Sequence, residues 1–233
     1  MRIALLGYGK MGMAIEKAAL SRGHEIVLRK TSSTNFDGLE NADVAIDFSI
    51  PDAAVRNIKA CFDTNVAVIS GTTGWLSEYE EILKYCKSKN GTFIYGSNFS
   101  LGVNLFFELN NYLTKLISKY EHYKVSMEEI HHTQKLDSPS GTAITLADDI
   151  IRNSSYVKWT TADAEANEIH IDAKRIENVP GTHSIVYDSE IDSIEIKHTA
   201  HNREGFALGA VIAAEWIVGK KGVFTMKDVL ELN

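Results

Sequence analysis

An α/β fold built on a parallel sheet, interrupted by a smaller α+β insertion, is predicted by three features of this sequence. The first hundred residues alternate short, continuous apolar runs with amphipathic helical stretches, the pattern of a parallel sheet covered on both faces. Beyond about residue 99 the pattern changes to one long helix and then to strands with period-2 alternation. An alanine-rich apolar helix at 206–218 follows, so the chain is expected to return to its first domain near Arg203. The expected division is residues 1–100 with 204–233 as one domain and 101–203 as the inserted one.

The elements follow in order. Apolar runs at 3–6, 26–28, 44–48, 66–70 and 93–95 are five strand candidates. Between the first two, Met11, Ala14, Ile15, Ala18 and Ala19 keep the spacing of one buried helix stripe. Ser49 before Ile50-Pro51-Asp52 reads as a helix start with proline and an acid in its first turn. Ser77, followed by Glu78, Glu80 and Glu81, reads as another, with Lys84 and Lys87 towards its end. The insertion reads as a helix at 103–116, a strand at 123–130, a polar loop and a helix at 142–151. Strands at 169–173, 184–187 and 191–196 follow, in an antiparallel or mixed sheet. After Gly219 only a short tail is expected. No internal repeat or low-complexity linker is visible.

Composition narrows the function. The chain has 233 residues, 44% of them hydrophobic, enough for one large core or two small ones. Its formal charge of −7 excludes the broad basic surface that nucleic acid or an anionic membrane needs, though not one basic pocket. Cys61 and Cys86 are the only cysteines, form no CxxC pair, and read as reduced thiols. The apolar run after Arg2 is too short for a secretory signal, and no stretch approaches the roughly 20 apolar residues of a membrane span. The expected location is the cytoplasm.

Gly7-Tyr8-Gly9-Lys10-Met11-Gly12 is a GxGxxG that follows the first strand and opens the first helix, the context in which this string binds a dinucleotide. Gly7 permits the tight turn, Gly9 lets backbone approach a pyrophosphate, and Gly12 lets helix and strand pack closely. The pyrophosphate then meets the positive end of the helix. The first domain is therefore read as a Rossmann dinucleotide-binding domain, with a plain β–α turn as the competing reading. At the end of the second strand, where an acid usually binds the adenosine ribose, stand Arg29-Lys30-Thr31-Ser32-Ser33. Two cations and hydroxyls suit a 2′-phosphate, which favours NADPH with NADH tolerated. Equally, both cations could be solvated, or Asp37 or Glu40 could swing in. Gly71-Thr72-Thr73-Gly74 and Gly96-Ser97-Asn98-Phe99 follow the fourth and fifth strands, at the sheet edge where ligands of such folds bind.

In the insertion, His131-His132-Thr133-Gln134-Lys135 closes a strand, and Asp137-Ser138-Pro139-Ser140-Gly141-Thr142 opens a helix. The titratable groups suit proton transfer and carboxylate binding. Ser140 reads as an N-cap, with the Gly141 and Thr142 amides turned to an anion. The His pair could instead ligate a metal, but neighbouring strand residues point to opposite faces and no third ligand stands at helical spacing; a solvated loop is the other alternative. At the return, His198 and His201 read as structural, and Arg203 as either a carboxylate contact or a hinge pin.

Six stretches carry a resemblance: Gly7 to Gly12; Gly71 to Gly74; Asn98-Phe99-Ser100-x-Gly102-Val103-Asn104; His131-His132-x-x-Lys135-x-Asp137-x-Pro139-Ser140-Gly141-Thr142-Ala143; Val179-Pro180-Gly181-Thr182-His183; and His198-x-Ala200-x-x-Arg203-x-x-Phe206-Ala207-x-Gly209-Ala210. Together, over nearly the whole chain, they resemble the 4-hydroxy-tetrahydrodipicolinate reductase (dihydrodipicolinate reductase) family of bacterial lysine and diaminopimelate synthesis. The resemblance implies an NAD(P)H-dependent oxidoreductase that delivers hydride to C4 of a cyclic dicarboxylate, with no metal. It implies His131 as proton donor/acceptor and Lys135 as second donor, with His132, Ser140, Gly141 and Thr142 holding the substrate. Gly7, Tyr8, Gly9, Lys10, Met11 and Gly12, with Gly71, Thr72 and Thr73 and with Gly96, Ser97, Asn98 and Phe99, would line NADPH or NADH. It further implies a homotetramer joined through the sheet of the inserted substrate domain. The sequence departs from the family at Lys10, where many members carry a Gly-Arg pair, in the missing acid of the second strand, and at Glu177 in a stretch that usually reads Arg-x-Gly. Two other classes remain open: a Rossmann amino-acid or semialdehyde dehydrogenase, and a sensor that binds NAD(H) only as a signal.

Overall fold

The computed structural model describes residues 1–232. The chain runs through β1 (Arg2–Leu6), α1 (Lys10–Ser21), β2 (Glu25–Lys30), β3 (Val44–Asp47), α2 (Pro51–Asp63), β4 (Ala67–Ser70), α3 (Tyr79–Ser88) and β5 (Thr92–Tyr95). Then come α4 (Leu101–Ile117), β6 (Lys124–His131), α5 (Gly141–Arg152), β7 (Lys158–Thr160), β8 (Glu168–Arg175), β9 (Gly181–Asp188) and β10 (Ser193–Ala200). It closes with α6 (Glu204–Ile217), β11 (Gly222–Phe224) and α7 (Met226–Val229). The chain divides into two compact units: Met1–Leu101 with the segment from Arg203 onward, and Gly102–Asn202.

The first unit is a Rossmann sheet of six strands in the order β11-β5-β4-β3-β1-β2, every pair parallel. Alternate residues of each strand enter different layers. Ile3 and Leu5 of β1 join Ile15 and Ala19 of α1 and the alanine-rich face of α6. Ala4 and Leu6 face the other way, towards Ile58 and Phe62 of α2 and Ile82 of α3. Both faces are covered, so the central strands are mostly apolar, with polar residues near their ends. Each fully buried Ile, Leu or Phe in these layers contributes about 1.5–3 kcal/mol. The chain order reverses between β1 and β3, and the C-terminal ends of those strands frame the crevice where such sheets bind ligands.

The second unit is a five-stranded mixed sheet, β10-β9-β6-β8-β7. β6 and β9 are antiparallel, as are β9 and β10, whereas β6 pairs with β8 in parallel. Phe106 and Ile117 of α4 and Leu146 and Ile150 of α5 pack with Val125, Met127, Ile169, Ile171 and Ile185 of one sheet face.

Several boundaries differ from expectation, each for a local reason. Ser49 does not cap α2: its hydroxyl donates to Asp47, Ile50 is the N-cap, and Pro51 and Asp52 begin the helix. Ser77 lies in a short 3-10 turn, Leu76–Glu78, and α3 starts at Tyr79. Residues 191 and 192 belong to a turn closed on the Ser189 hydroxyl, and β10 runs on through His198 to Ala200. The tail after Gly219 adds β11 to the sheet edge and the short helix α7, whose capping box joins Thr225 and Asp228. Among the described residues no helix is long and apolar enough to cross a membrane.

Candidate functional site

In the first unit the glycine loop joins β1 to α1. Gly7 adopts φ +100°, and a Cβ there would stand 2.2 Å from the Phe48 carbonyl oxygen, so glycine is required twice over. A Cβ on Gly12 would stand 2.4 Å from the Gly7 oxygen, the close helix–loop approach the motif needs. Around Gly9 nothing lies within 4 Å of a Cβ position, leaving backbone open to a ligand. The first turn of α1, after N-cap Gly9, holds no acid, so its dipole is not offset from within.

A cavity of about 400 Å³ opens beside this loop, lined among others by Gly7, Tyr8, Gly9, Lys30, Thr31 and Ser32. A second, of about 220 Å³, is lined by Met11, Phe48, Ser49, Gly71, Thr72 and Thr73. Shared Phe48 and Ser49 make them neighbours. These glycine cradles and the uncompensated helix start fit a dinucleotide. Of the residues expected at the cofactor, Lys10, Gly12, Gly96, Ser97, Asn98 and Phe99 line neither cavity. Phe99 is core, 1% exposed and tilted against Phe48 with centroids 5.8 Å apart. The Thr72 hydroxyl points inward too, donating to Asp47 and accepting from the Ser49 amide at 2.8 Å. Arg29 forms an ion pair with Glu16 of α1, which also accepts from the Tyr8 hydroxyl. Lys30, Thr31 and Ser32, by contrast, reach the cavity wall.

Asp47, at the end of β3, organises the floor. It is fully buried and accepts from Ser49 at 2.7 Å and from Asn57, Ser70 and Thr72 at 2.8 Å each. Burial pushes its pKa up, against the pull of those four bonds. In the sequence it stands inside the apolar run 44–48, where nothing local marks it.

In the second unit the sheet register assembles a polar cluster. Along β6, Val125, Met127, Glu129 and His131 alternate onto one face. Met127 pairs with Ile171 and Ile185; two residues on, Glu129 pairs with Ala173 and His183; His131 then pairs with Arg175. The apolar rows thus give way to a row of ionisable groups at the strand ends. Glu129 is fully buried. Its oxygens accept from the Ser140 amide at 3.0 and 3.1 Å and from Arg175 at 3.2 and 3.3 Å. Nδ1 of His131 lies 3.4 Å from Oε2 and Nε2 of His183 lies 3.5 Å from it. The two imidazoles meet edge to face, 5.0 Å between centroids.

Burial dominates the electrostatics at His131. It takes the imidazole down to about 4, and His183, Lys135 and Arg175 push the same way while Glu129 alone opposes them. Glu129 is held at about 2; burial raises it, but the bonds from His183 and Ser140 and the charge of His131 outweigh that. The ordinary state at neutral pH is therefore a carboxylate beside a neutral imidazole.

Ser140 caps α5 as expected, its hydroxyl accepting from the Ala143 amide at 3.2 Å, and lies 3.2 Å from Nε2 of His183. It is 2% exposed, so its side chain serves the protein interior rather than the surface. Gly141 and Thr142 form the first turn of α5. His132 follows β6, partly buried. Lys135 turns back through a bond from its amide to the His132 carbonyl and grips Asp137 with both oxygens at 2.8 Å. The Ser138–Pro139 peptide is cis. Arg175 also donates to the Asp137 carbonyl at 2.7 Å, tying the loop to Glu129. His198 faces Phe106, ring centroids 6.1 Å apart, and Arg203 is the N-cap of α6.

Ligand-type atoms of Glu129, His131 and His183 lie within 4.8 Å of one another, a spacing a cation could use. The Arg175 guanidinium and the Ser140 amide already occupy the carboxylate, so the trio reads better as an ion-pair hub. On sequence alone no role falls to Glu129, Arg175 or His183, although His183 stands in one of the stretches that carry the resemblance. Period-2 alternation could have placed Glu129 beside His131; only the pairing of β6 with its neighbours brings in the other two.

Comparison with known proteins agrees with this architecture. Family models described as "Dihydrodipicolinate reductase, N-terminus" and "Dihydrodipicolinate reductase, C-terminus" match residues 1–99 and 102–230. A 4-hydroxy-tetrahydrodipicolinate reductase of Christiangramia forsetii is 55% identical over 233 residues, covering 99% of this chain and 98% of the relative. One from Methanoregula boonei is 36% identical, covering 82% of this chain and 76% of its own. Among solved structures, a dipicolinate-bound dihydrodipicolinate reductase from Paenisporosarcina sp. TG-14 superposes with a TM-score of 0.74 at 22% identity, covering 97% of both chains. That last likeness speaks to the fold alone.

Proposed function

The chain belongs to the dihydrodipicolinate reductase family, and from that premise we propose that it reduces 4-hydroxy-tetrahydrodipicolinate to tetrahydrodipicolinate with NAD(P)H, in lysine and diaminopimelate synthesis. The observation that carries the proposal is the buried His131–Glu129 pair beside the Ser140-capped start of α5, a proton carrier next to an anion-binding helix end. When bound, the nicotinamide supplies the hydride.

The chain's own residues do the rest. Gly7 to Gly12 seat the pyrophosphate on α1, with Gly71, Thr72 and Thr73 shaping the adjoining wall. His132 and the amides of Gly141 and Thr142 grip the substrate's carboxylates, and Ser140 fixes that turn from beneath. His131 delivers the proton that completes the reduced ring, with Lys135 as the second donor. Positioning and electrostatics account for most of the protein's contribution. Lys30, Thr31 and Ser32 at the cavity wall support NADPH as the preferred cofactor with NADH accepted. The enzyme works in the cytoplasm as a homotetramer joined through the sheet of the second unit, where β10 is an exposed edge strand.

The test is NADPH and NADH oxidation by the purified protein given the freshly generated product of the preceding synthase, with pyridine-2,6-dicarboxylate as inhibitor. Turnover with that substrate and inhibition by the dicarboxylate are expected. Turnover only with amino acids or semialdehydes would favour the other dehydrogenase class. Tight cofactor binding without turnover of any cyclic imine would favour a sensor.

A further inference from the structure

We infer that Glu129 is a positioning residue for His131: its carboxylate holds the ring with Nδ1 protonated and Nε2 on the opposite side, towards Gly181, and through the Ser140 amide it ties that orientation to the start of α5. The inference deepens the proposed reductase reading and rests on it for the role of His131.

A carboxylate only accepts. With Nδ1 of His131 at 3.4 Å from Oε2, a bare lone pair there would face a charged oxygen, so the proton of the neutral ring belongs on Nδ1. Nδ1 is buried and makes no aligned hydrogen bond in the structure, which leaves Glu129 to decide the tautomer. On the far side, a Cβ at residue 181 would stand 3.1 Å from Nε2, so the glycine there spares this nitrogen a tight contact. The carboxylate itself cannot swing. Arg175 from the end of β8 and the Ser140 amide from the α5 loop hold both oxygens, and His183 faces Oε2 from β9.

The groups facing His131 are therefore Glu129 on its own strand, His183 from β9, Arg175 from β8 and Lys135 from the following loop. Glu129 is the only one that favours an imidazolium. A dianionic substrate gripped nearby adds a second favourable charge, so Nε2 takes up its proton with the substrate. In the chemical step the electron pair of the enamine-like double bond forms the new C–H bond, the imine C=N forms, and the Nε2–H bond breaks. The ring returns to its neutral Nδ1–H form, still held by Glu129. This is the work a buried acid does behind a catalytic imidazole elsewhere.

The test uses the full-length protein. Nitrogen-15 NMR of the histidine rings, without ligand, should show His131 as the Nδ1–H tautomer. In Glu129→Gln, whose amide can face the ring with either group, the Nε2–H form should grow. Kinetically, E129Q should lose on the order of 10²-fold in kcat with little change in KM for NADPH. The alkaline limb of kcat should move to lower pH, and Glu129→Asp should restore part of the rate. An Nε2–H tautomer in the unmodified protein would overturn the inference even if E129Q does not fold. So would an E129Q variant with unchanged tautomer and pH profile. The NMR arm needs no turnover, so a failure of the reductase reading would show separately, as inactivity of the unmodified enzyme.

Discussion

Each unit buries one carboxylate completely, and the two are surrounded differently. Asp47 is ringed by neutral donors: two serines or threonines on one oxygen, a serine and an asparagine amide on the other. Glu129 meets a guanidinium, a backbone amide and two imidazoles. Neutral donors pin backbone and loops in place but offer no proton to exchange. Imidazoles do both. The comparison separates a carboxylate that holds the loops after β3 and β4 in shape from one that, under the proposal above, sets the state of the imidazole beside it.

Substituting what each carboxylate serves should break the comparison most visibly. His131→Gln should lower kcat by about 10²–10⁴-fold while leaving NADPH affinity near its original value, checked by steady-state kinetics and a cofactor titration. An unchanged kcat would take His131 out of the mechanism. Asp47→Ala leaves four inward donors without their acceptor and should cost on the order of 3–5 kcal/mol of stability, read from denaturant unfolding. A loss below about 1 kcal/mol would mean that those donors find other partners.

The pH dependence of stability should show the two carboxylates with opposite signs. The folded His131 sits at about 4, below its ordinary 6.5, so the unfolded chain takes that proton first and stability rises with pH between those values. Glu129, at about 2 instead of 4.5, adds stability above 4.5 that is lost as pH falls towards 2. Each amounts to something on the order of 3 kcal/mol. Asp47 is raised above 3.8, so its contribution is present below that value and fades as pH climbs through the folded pKa. Unfolding free energies from about pH 7 downward should lose their upper slope in H131Q and their lower one in E129Q. In Asp47→Asn the opposing slope should disappear, steepening the net rise of stability with pH.

The smallest expected effect lies at the rim of the first unit. Glu16→Gln releases Arg29 from a partly exposed ion pair, worth less than about 1 kcal/mol to stability. If the freed guanidinium then reaches a 2′-phosphate, KM for NADPH should fall about two- to fivefold relative to NADH. An unaltered ratio would assign the phosphate to Lys30 and its neighbouring hydroxyls alone.

The first unit was legible because burial on two faces keeps the strands mostly apolar: in β1, β3 and β4 three or more apolar residues run together, with the polar Asp47 and Ser70 only at the strand ends. β7 and β11, three residues each, carry too few positions for any period, and β11 begins at a glycine with φ +122°. The glycine loop could be read with its geometry because the reason for each glycine is local. Arg29 shows the limit. Its place near the end of β2 is plain in the sequence, yet its ion pair depends on how α1 lies across that strand. The histidine motif and the Ser140 cap were equally plain, while His183 joined His131 only through the pairing of β6 with β9, which no local pattern announces.

That pairing has an evolutionary corollary. On β9 the side chains of His183, Ile185 and Tyr187 share one face, opposite Glu129, Met127 and Val125. A stagger of one residue would replace them with Thr182, Ser184 and Val186, removing an imidazole from Glu129 and two large apolar groups from the helices at a stroke. The turn at 176–180 that feeds this strand therefore has a fixed effective length, and an insertion or deletion there is policed by folding before catalysis is ever consulted.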